Sequence, residues 1–333
     1  MRKLVGLVVV AGLIWSGLWV AASQAIERGL SSWLSDRAAE GWQAETSAIG
    51  VSGYPGTMAV RLEGLALADP DTGLAWIAPE FRFSAPAHAP TRVTAIWPGQ
   101  QTIATPLERI EISSKTMEAG LGLDGGLSLT LDTSDMALRD IRLTSTRRWT
   151  AGLDAGTLTT RRLSDRPLAH DIRFAATGVT PSQAALRRFD PAGLLPDTIT
   201  ALELNGVAEF DAPWDKRAVE DRRPQITALD LEKLRAEWGT MVLEAAGDLT
   251  VDPDGIPTGR VDIRAVNWRE MLEVLSGADL VPMSILPTIE RGLEILAGLS
   301  GNPNTIDAAL GFQNGFMSLG PVPLGPAPRL VIR

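Results

Sequence analysis

From Gly53 onward the apolar residues recur mainly at every second position, the period of strands with one face covered. Residues 58–62 (MAVRL) alternate and the pattern runs on through Leu65 and Leu67, with Gly64 marking a bulge. Residues 80–83 alternate, and Leu127, Leu129 and Leu131 alternate with Ser128, Thr130 and Asp132. Leu138, Ile141 and Leu143 continue the style, and residues 260–265 (RVDIRA) predict a clean strand. Strand-length segments are separated by Asp-Pro, Asp-Gly, Pro-Gly and Gly-Gly punctuation. Asn205-Gly206 fits either a two-residue hairpin turn or a bulge inside one longer strand, the bulge being preferred. Residues 213–224 (PWDKRAVEDRRP) are charge-rich and predict a solvated loop.

Helical spacing replaces this pattern in four places. From Gln24 to about Gln43, Ile26, Leu30, Trp33, Leu34, Ala38 and Trp42 fall on a helical period. A capping box at Thr180-Pro181-Ser182-Gln183 opens a second helix that should end near Phe189, before Pro191. A third opens at Asn267, with Glu270 three residues on, and closes near Gly277. A fourth runs from about Ile285 to Leu299 and places Leu286, Ile289, Leu293 and Leu296 on one face. These stripes read first as core packing; the last is the candidate wall of an apolar groove.

The N-terminus has no such period. After Arg2 and Lys3, residues 4–22 carry no charge, from Leu4 to Ala22. Nineteen residues at about 1.5 Å each span roughly 28 Å, near the ~30 Å thickness of a bilayer's hydrocarbon. Trp15 and Trp19 lie towards the far end, where indoles favour the interface. The segment is therefore expected to be an uncleaved transmembrane anchor, with residues 1–3 cytoplasmic, 23–45 a juxtamembrane helix and 46–333 a periplasmic β-rich domain. The competing reading is a signal peptide cleaved after Ala21-Ala22-Ser23, before Gln24, which would give a secreted product; its apolar run is longer than the usual signal core. A buried core helix fits poorly with two cations capping an uninterrupted apolar run. The expected fold class is α+β: a mainly antiparallel, curved sheet with a few packing helices behind one transmembrane helix, softly divided near residues 163–170.

Composition narrows the chemistry. The 333-residue chain has no cysteine and two histidines, His88 and His170, which excludes disulfide scaffolds, thiolate metal sites and multi-histidine metal centres. A net charge of −9 argues against broad nucleic-acid binding. Asp69-Pro70-Asp71-Thr72-Gly73 and Asp252-Pro253-Asp254-Gly255 lack the ligand set of a calcium loop and read as hairpin turns. His88 sits in a Pro/Ala loop and His170 at a strand start, both read as structural or solvated. Arg147-Arg148 and Arg161-Arg162 would meet if they lay on neighbouring strands, as a solvated face or a contact for anionic headgroups. No nucleophile elbow, phosphate loop or dinucleotide fingerprint occurs in a strand–helix context. No catalytic residue, cofactor or metal is assigned.

Gly53-Tyr54-Pro55, Asp69-Pro70, Trp76-Ile77-Ala78-Pro79 and the Gly/Pro-rich tail from Phe312 to Pro328 together resemble a family of uncharacterised alphaproteobacterial envelope proteins, classified only as a domain of unknown function. The resemblance implies an N-terminal anchor and a periplasmic β-rich domain, and carries over no activity or site. A fainter similarity to AsmA-like envelope proteins, through residues 247–252 with Gly255 and Gly259, implies a curved sheet with an apolar groove for lipid. The expected function is a non-enzymatic inner-membrane-anchored envelope protein that binds lipid or another apolar ligand. The alternative is an assembly or scaffolding protein with a filled core and only protein partners, and a hydrolase comes third. A continuous apolar concavity would favour the first and a filled interior the second.

Overall fold

The computed structural model describes all residues except 127, 191, 192, 194, 221, 278–285, 300, 321 and 333. The chain begins with α1 (Arg2–Ala39), then β1 (Gln43–Glu45), β2 (Ala48–Ser52), β3 (Thr57–Ala68), β4 (Ala75–Pro86), β5 (Arg92–Ile96), β6 (Gln100–Ala104), β7 (Arg109–Ser113), β8 (Thr116–Leu123) and β9 (Leu131–Ser145). It continues with β10 (Thr150–Arg162), β11 (Ala169–Val179), α2 (Gln183–Phe189), β12 (Ile199–Phe210), α3 (Arg217–Glu220), β13 (Ile226–Trp238), β14 (Met241–Val251) and β15 (Pro257–Val266). Last come α4 (Trp268–Gly277), α5 (Leu286–Leu299), β16 (Thr305–Gln313), β17 (Phe316–Leu319) and β18 (Val322–Pro326). The expected class, mainly antiparallel sheet with a few helices after a long apolar N-terminal helix, is what forms. Two compact units result: residues 1–122 with 141–148, and residues 123–140 with 149–333. Residues 163–170, the expected soft division, lie inside the second unit, across the β10–β11 turn and the first two residues of β11.

In the first unit β3 is the organising strand. β4 pairs along its whole length, from Thr57↔Pro86 to Ala68↔Ala75, while β1 and β2 share its other edge. Val60, Leu62, Leu65 and Ala78 are buried there, as is Leu34 of α1. The step of three between Leu62 and Leu65 needs an irregularity, and Gly64 supplies it at φ +59°, as a kink and not the expected bulge, since the register continues from Glu63↔Glu80 to Leu65↔Ala78. A Cβ there would stand 2.8 Å from Ser47 Oγ. Opposite it the β1–β2 junction turns, and Ser47 N, Ser47 Oγ and Thr46 Oγ1 all donate to the Glu63 carbonyl.

The second unit is a meander in which each strand from β10 to β18 pairs with the next. β15 shows the pattern most plainly: Val261 and Ala265 are buried while Arg260, Asp262 and Arg264 are exposed. The bulge at Asn205-Gly206 is present as a register shift between β12 and β13. β16 and β17 are joined by Asn314-Gly315, both at positive φ, the tightest hairpin connection. The tail returns across the sheet. Leu330 N donates to the Gly255 carbonyl, and Gln225 exchanges two bonds with the backbone of Ile332.

Several local expectations are corrected. Leu129 is not in a strand: it sits at φ +51° in the loop between β8 and β9, where Asp124 N donates to the Thr130 carbonyl; Leu127 lies outside the described residues. The three-residue step from Leu138 to Ile141 is accommodated by Asp140 at φ +50°. The helix expected from Gln24 to Gln43 is the distal part of α1 and stops at Ala39. The cap of α2 is Ser182, whose Oγ accepts from Ala185 N at 3.2 Å, whereas Thr180 is held in a bridge to Gly152; Pro191 lies outside the described residues. Asn267 precedes α4, but its side chain donates to the Thr240 carbonyl instead of capping. Ile285, the expected start of α5, lies outside the described residues, as does Pro321 of the tail motif. The charge-rich 213–224 segment is no plain loop: it holds α3, buries Asp215 and packs Trp214 edge-on to Phe210 at 5.4 Å. Arg147-Arg148 precede β10 and Arg161-Arg162 end it, so the length of a 13-residue strand separates the pairs.

Ser182→Ala should cost about 1 kcal/mol by removing a side-chain cap, measured by urea unfolding of the detergent-solubilised chain. Gln183→Ala, which leaves the cap intact, should cost less.

Candidate membrane contact and apolar cleft

α1 is long and apolar enough to cross a membrane, and no part of its apolar stretch is buried inside the protein. Leu4, at the start of that stretch, is 69% exposed. From Ser16 onward one face turns towards the first unit: Ser16, Trp19, Ser23, Ile26, Leu30 and Leu34 are partly or fully buried at steps of three and four. Ala22 is half-buried on the same side.

The first side-chain contacts of α1 with the rest of the unit are made by the β2–β3 hairpin tip, residues 53–56. Trp15 Nε1 donates to the Pro55 carbonyl at 3.0 Å, and Trp19 Nε1 to the Thr57 carbonyl at 3.2 Å. Between them the Ser16 and Tyr54 hydroxyls are 2.6 Å apart. The Trp19 and Tyr54 rings meet edge to face at 5.6 Å. Trp15 and Trp19 present both indoles to one hairpin because residues four apart share a helix face. Sequence reasoning placed the two indoles at an interface and singled out Gly53-Tyr54-Pro55, but had no means of joining them.

The four candidate groove residues lie in α5. Ile289 and Leu293 are buried in a cluster with Ala265, Trp268, Leu272, Ile306, Leu319 and Val322, and Leu286 and Leu296 pack against it half-buried. α5 approaches β18 so closely that a Cβ on Gly292 would stand 2.6 Å from Val322 Cγ2. An open cleft of about 580 Å³ adjoins this cluster, lined by Ile289, Phe316, Met317, Val322, Pro323 and Leu324 among others. Phe316, on the hairpin side, is 64% exposed. Of the four stripe residues Ile289 alone lines this cleft. The neighbouring Phe316 went unassigned because its strand pattern gives no sign of which face stays bare.

The remaining candidate chemistry resolves into structure. His170 is 3% exposed, and its ring meets Phe210 edge-on at 5.9 Å. Burial lowers its pKa, Arg162 lowers it further, and Asp132 opposes them. Arg162 is itself held by Asp124 and Asp132 at 2.5 and 3.2 Å. His88 is exposed in the β4–β5 connection. Asp69 accepts from Asp71 N and Thr72 Oγ1, and Asp252 from Asp254 N and Ile256 N, so both acidic loops are hairpin turns closed on their own backbone. Among the described residues no group of three or more His, Asp or Glu side chains is placed to hold a metal ion.

Residues 19–328 match the model of a family described as an uncharacterized protein conserved in bacteria (DUF2125), and the chain belongs to that family. No curated protein and no solved structure matches the chain significantly.

Leu293→Ala should cost roughly 2–5 kcal/mol, because a filled cluster leaves a cavity on truncation. Two glycines of α5 should respond oppositely. Gly298→Ala, with open space around it, should gain up to about 1 kcal/mol of helix propensity, while the same change at Gly292 forces α5 from β18 and should be destabilising. Thermal unfolding of the three variants checks all of this. His170 gives a pH signature. Its folded pKa lies below its unfolded value of about 6.5, so its contribution is intact above that pH and is lost as pH falls below it. His170→Leu should flatten the urea-unfolding midpoint between about pH 5 and 7.

Proposed function

We propose that this family member is a non-catalytic, single-pass protein of the bacterial inner membrane whose β-rich bulk stands in the periplasm and holds a lipid or another apolar ligand. The anchor reading rests on α1: no residue of its apolar window is buried, residues 4–14 are exposed on every side, and from Ser16 onward the helix turns one face to the first unit. Arg2 and Lys3 flank the inner end and favour the cytoplasm there. The single observation that carries the ligand reading is the apolar cleft beside α5, with Phe316 bare on its wall. The non-catalytic reading is supported by His170, whose ring is packed away from solvent, and by the acidic turns, whose carboxylates are spent on backbone N–H groups.

A scaffold that binds only proteins is the second reading. It is favoured by the filled cluster under α5 and by the opposite face of the meander, where Arg260–Asp262 and Lys233–Glu203 pairs line the surface.

Native mass spectrometry of the detergent-purified chain should find co-purifying lipid. Phe316→Glu should lose most of that lipid at an unchanged melting temperature, since the residue supports no core. A lipid-free wild type would sink the ligand reading and leave the scaffold. A C-terminal reporter active only outside the cytoplasm should be active, with the chain retained in carbonate-washed membranes. A soluble product beginning at Gln24 would overturn the anchor.

A further inference from the structure

We propose that the β2–β3 hairpin tip, residues 53–56, is a second membrane contact, placing Tyr54 and Pro55 in the outer interfacial layer of the bilayer that α1 crosses. The inference rests on the reading of α1 as a membrane span.

The argument begins with length. From Lys3, a hydrocarbon layer of ~30 Å takes up about 20 helical residues, to the neighbourhood of Ser23. The hairpin already touches the helix at Trp15, Ser16 and Trp19. Trp15 stands only about 18 Å along the helix from Lys3, and Trp19 about 24 Å. The part of α1 below the hairpin is thus too short to cross alone, so the tip enters with the helix. Tilting the helix shortens its reach along the membrane normal and takes the tip deeper.

The chemistry of the tip fits that depth. A carbonyl without a partner is costly where water is scarce, and those of Pro55 and Thr57 take their protons from the two indoles of α1. The Tyr54 hydroxyl is matched to Ser16, while the Tyr54 side chain remains 54% exposed and Trp15 40% exposed. Aromatic bodies with satisfied polar ends are the side chains that collect at membrane interfaces. The surrounding sequence is equally uncharged. Residues 51–60 and 83–91 contain no Asp, Glu, Lys or Arg, in a chain where these make up 21%. The two stretches are neighbours, since Thr57 pairs with Pro86 and Ala87 N donates to the Gly56 carbonyl. At the other end of β3, the β3–β4 turn carries Asp69 and Asp71. One end of this sheet is built without charge and the other is not.

The absence of cysteine permits single-site probes. Gly56→Cys suits the tip, because a Cβ there meets nothing within 4 Å. Leu13→Cys marks the span and Asp71→Cys the far end of the sheet. Each full-length variant would carry an NBD fluorophore in vesicles of phosphatidylethanolamine and phosphatidylglycerol, with and without bromination of the acyl chains. The probe at 56 should be blue-shifted and lose much of its emission to the brominated lipid, as the probe at 13 does, while the probe at 71 keeps its emission. Quenching at 13 with none at 56 would overturn the hairpin contact and leave the anchor standing. Quenching at neither would remove the anchor itself. Tyr54→Cys repeats the measurement at a second tip position should the label at 56 lower the melting temperature.

Discussion

A sheet with one apolar face cannot leave that face in water, and most of the non-strand structure in this protein follows from covering it. In the first unit α1 lies along β1 and β2 with Leu34 buried. In the second, α4 and α5 cover the end of the meander that carries Ala265, Ile306 and Leu319. The returning tail covers a separate cluster built on Leu231, Leu249, Val261 and Phe312, with Ala327 and Leu330 against it. The opposite face needs no cover, because it carries charged side chains paired across neighbouring strands, as Arg235 is in register with Glu244 and Lys233 diagonally with Glu203.

α1 carries two patterns of exposure in one unbroken helix. Its early residues point outward on every side, the pattern of a segment whose surroundings are uniformly apolar. From Ser16 onward a single face is protected, the pattern of a helix on a protein surface. The change of pattern falls where the hairpin tip meets the helix, at the two indoles. A side chain with an apolar ring and one N–H suits such a boundary, since the ring tolerates lipid while the N–H needs an acceptor. Here the acceptors are backbone carbonyls of the hairpin.

The second unit separates a packed region from an open one along a single helix. Gly292 allows α5 to sit directly on Val322, which closes the cluster around Ile289 and Leu293. The cleft begins at the edge of this contact, where the β16–β17 hairpin carries Phe316 past the helix. The packed cluster and the cleft share Ile289 and Val322, and of the α5 stripe Ile289 alone borders both.

Alternation along a strand and spacing along a helix are properties of nearest neighbours, so the sequence by itself determined the antiparallel strands, the bulge at Asn205-Gly206, the apolar length of α1 and the apolar stripe of α5, while the irregularity it marked at Gly64 is a positive-φ kink across which the β3–β4 register continues. The same local signal misled at Leu129, where apolar alternation met a Gly-Gly turn, and at Thr180, where a capping pattern was outbid by a bridge to Gly152. Tertiary structure alone decided which surface each stripe meets. Trp15 finds its acceptor 40 residues away, and His170 is buried by a Phe210 brought over from β12. Whether a stripe fills a core or lines a cleft depends on how near another strand comes, and that distance is set by a residue such as Gly292, whose lack of a side chain matters only once Val322 lies against it.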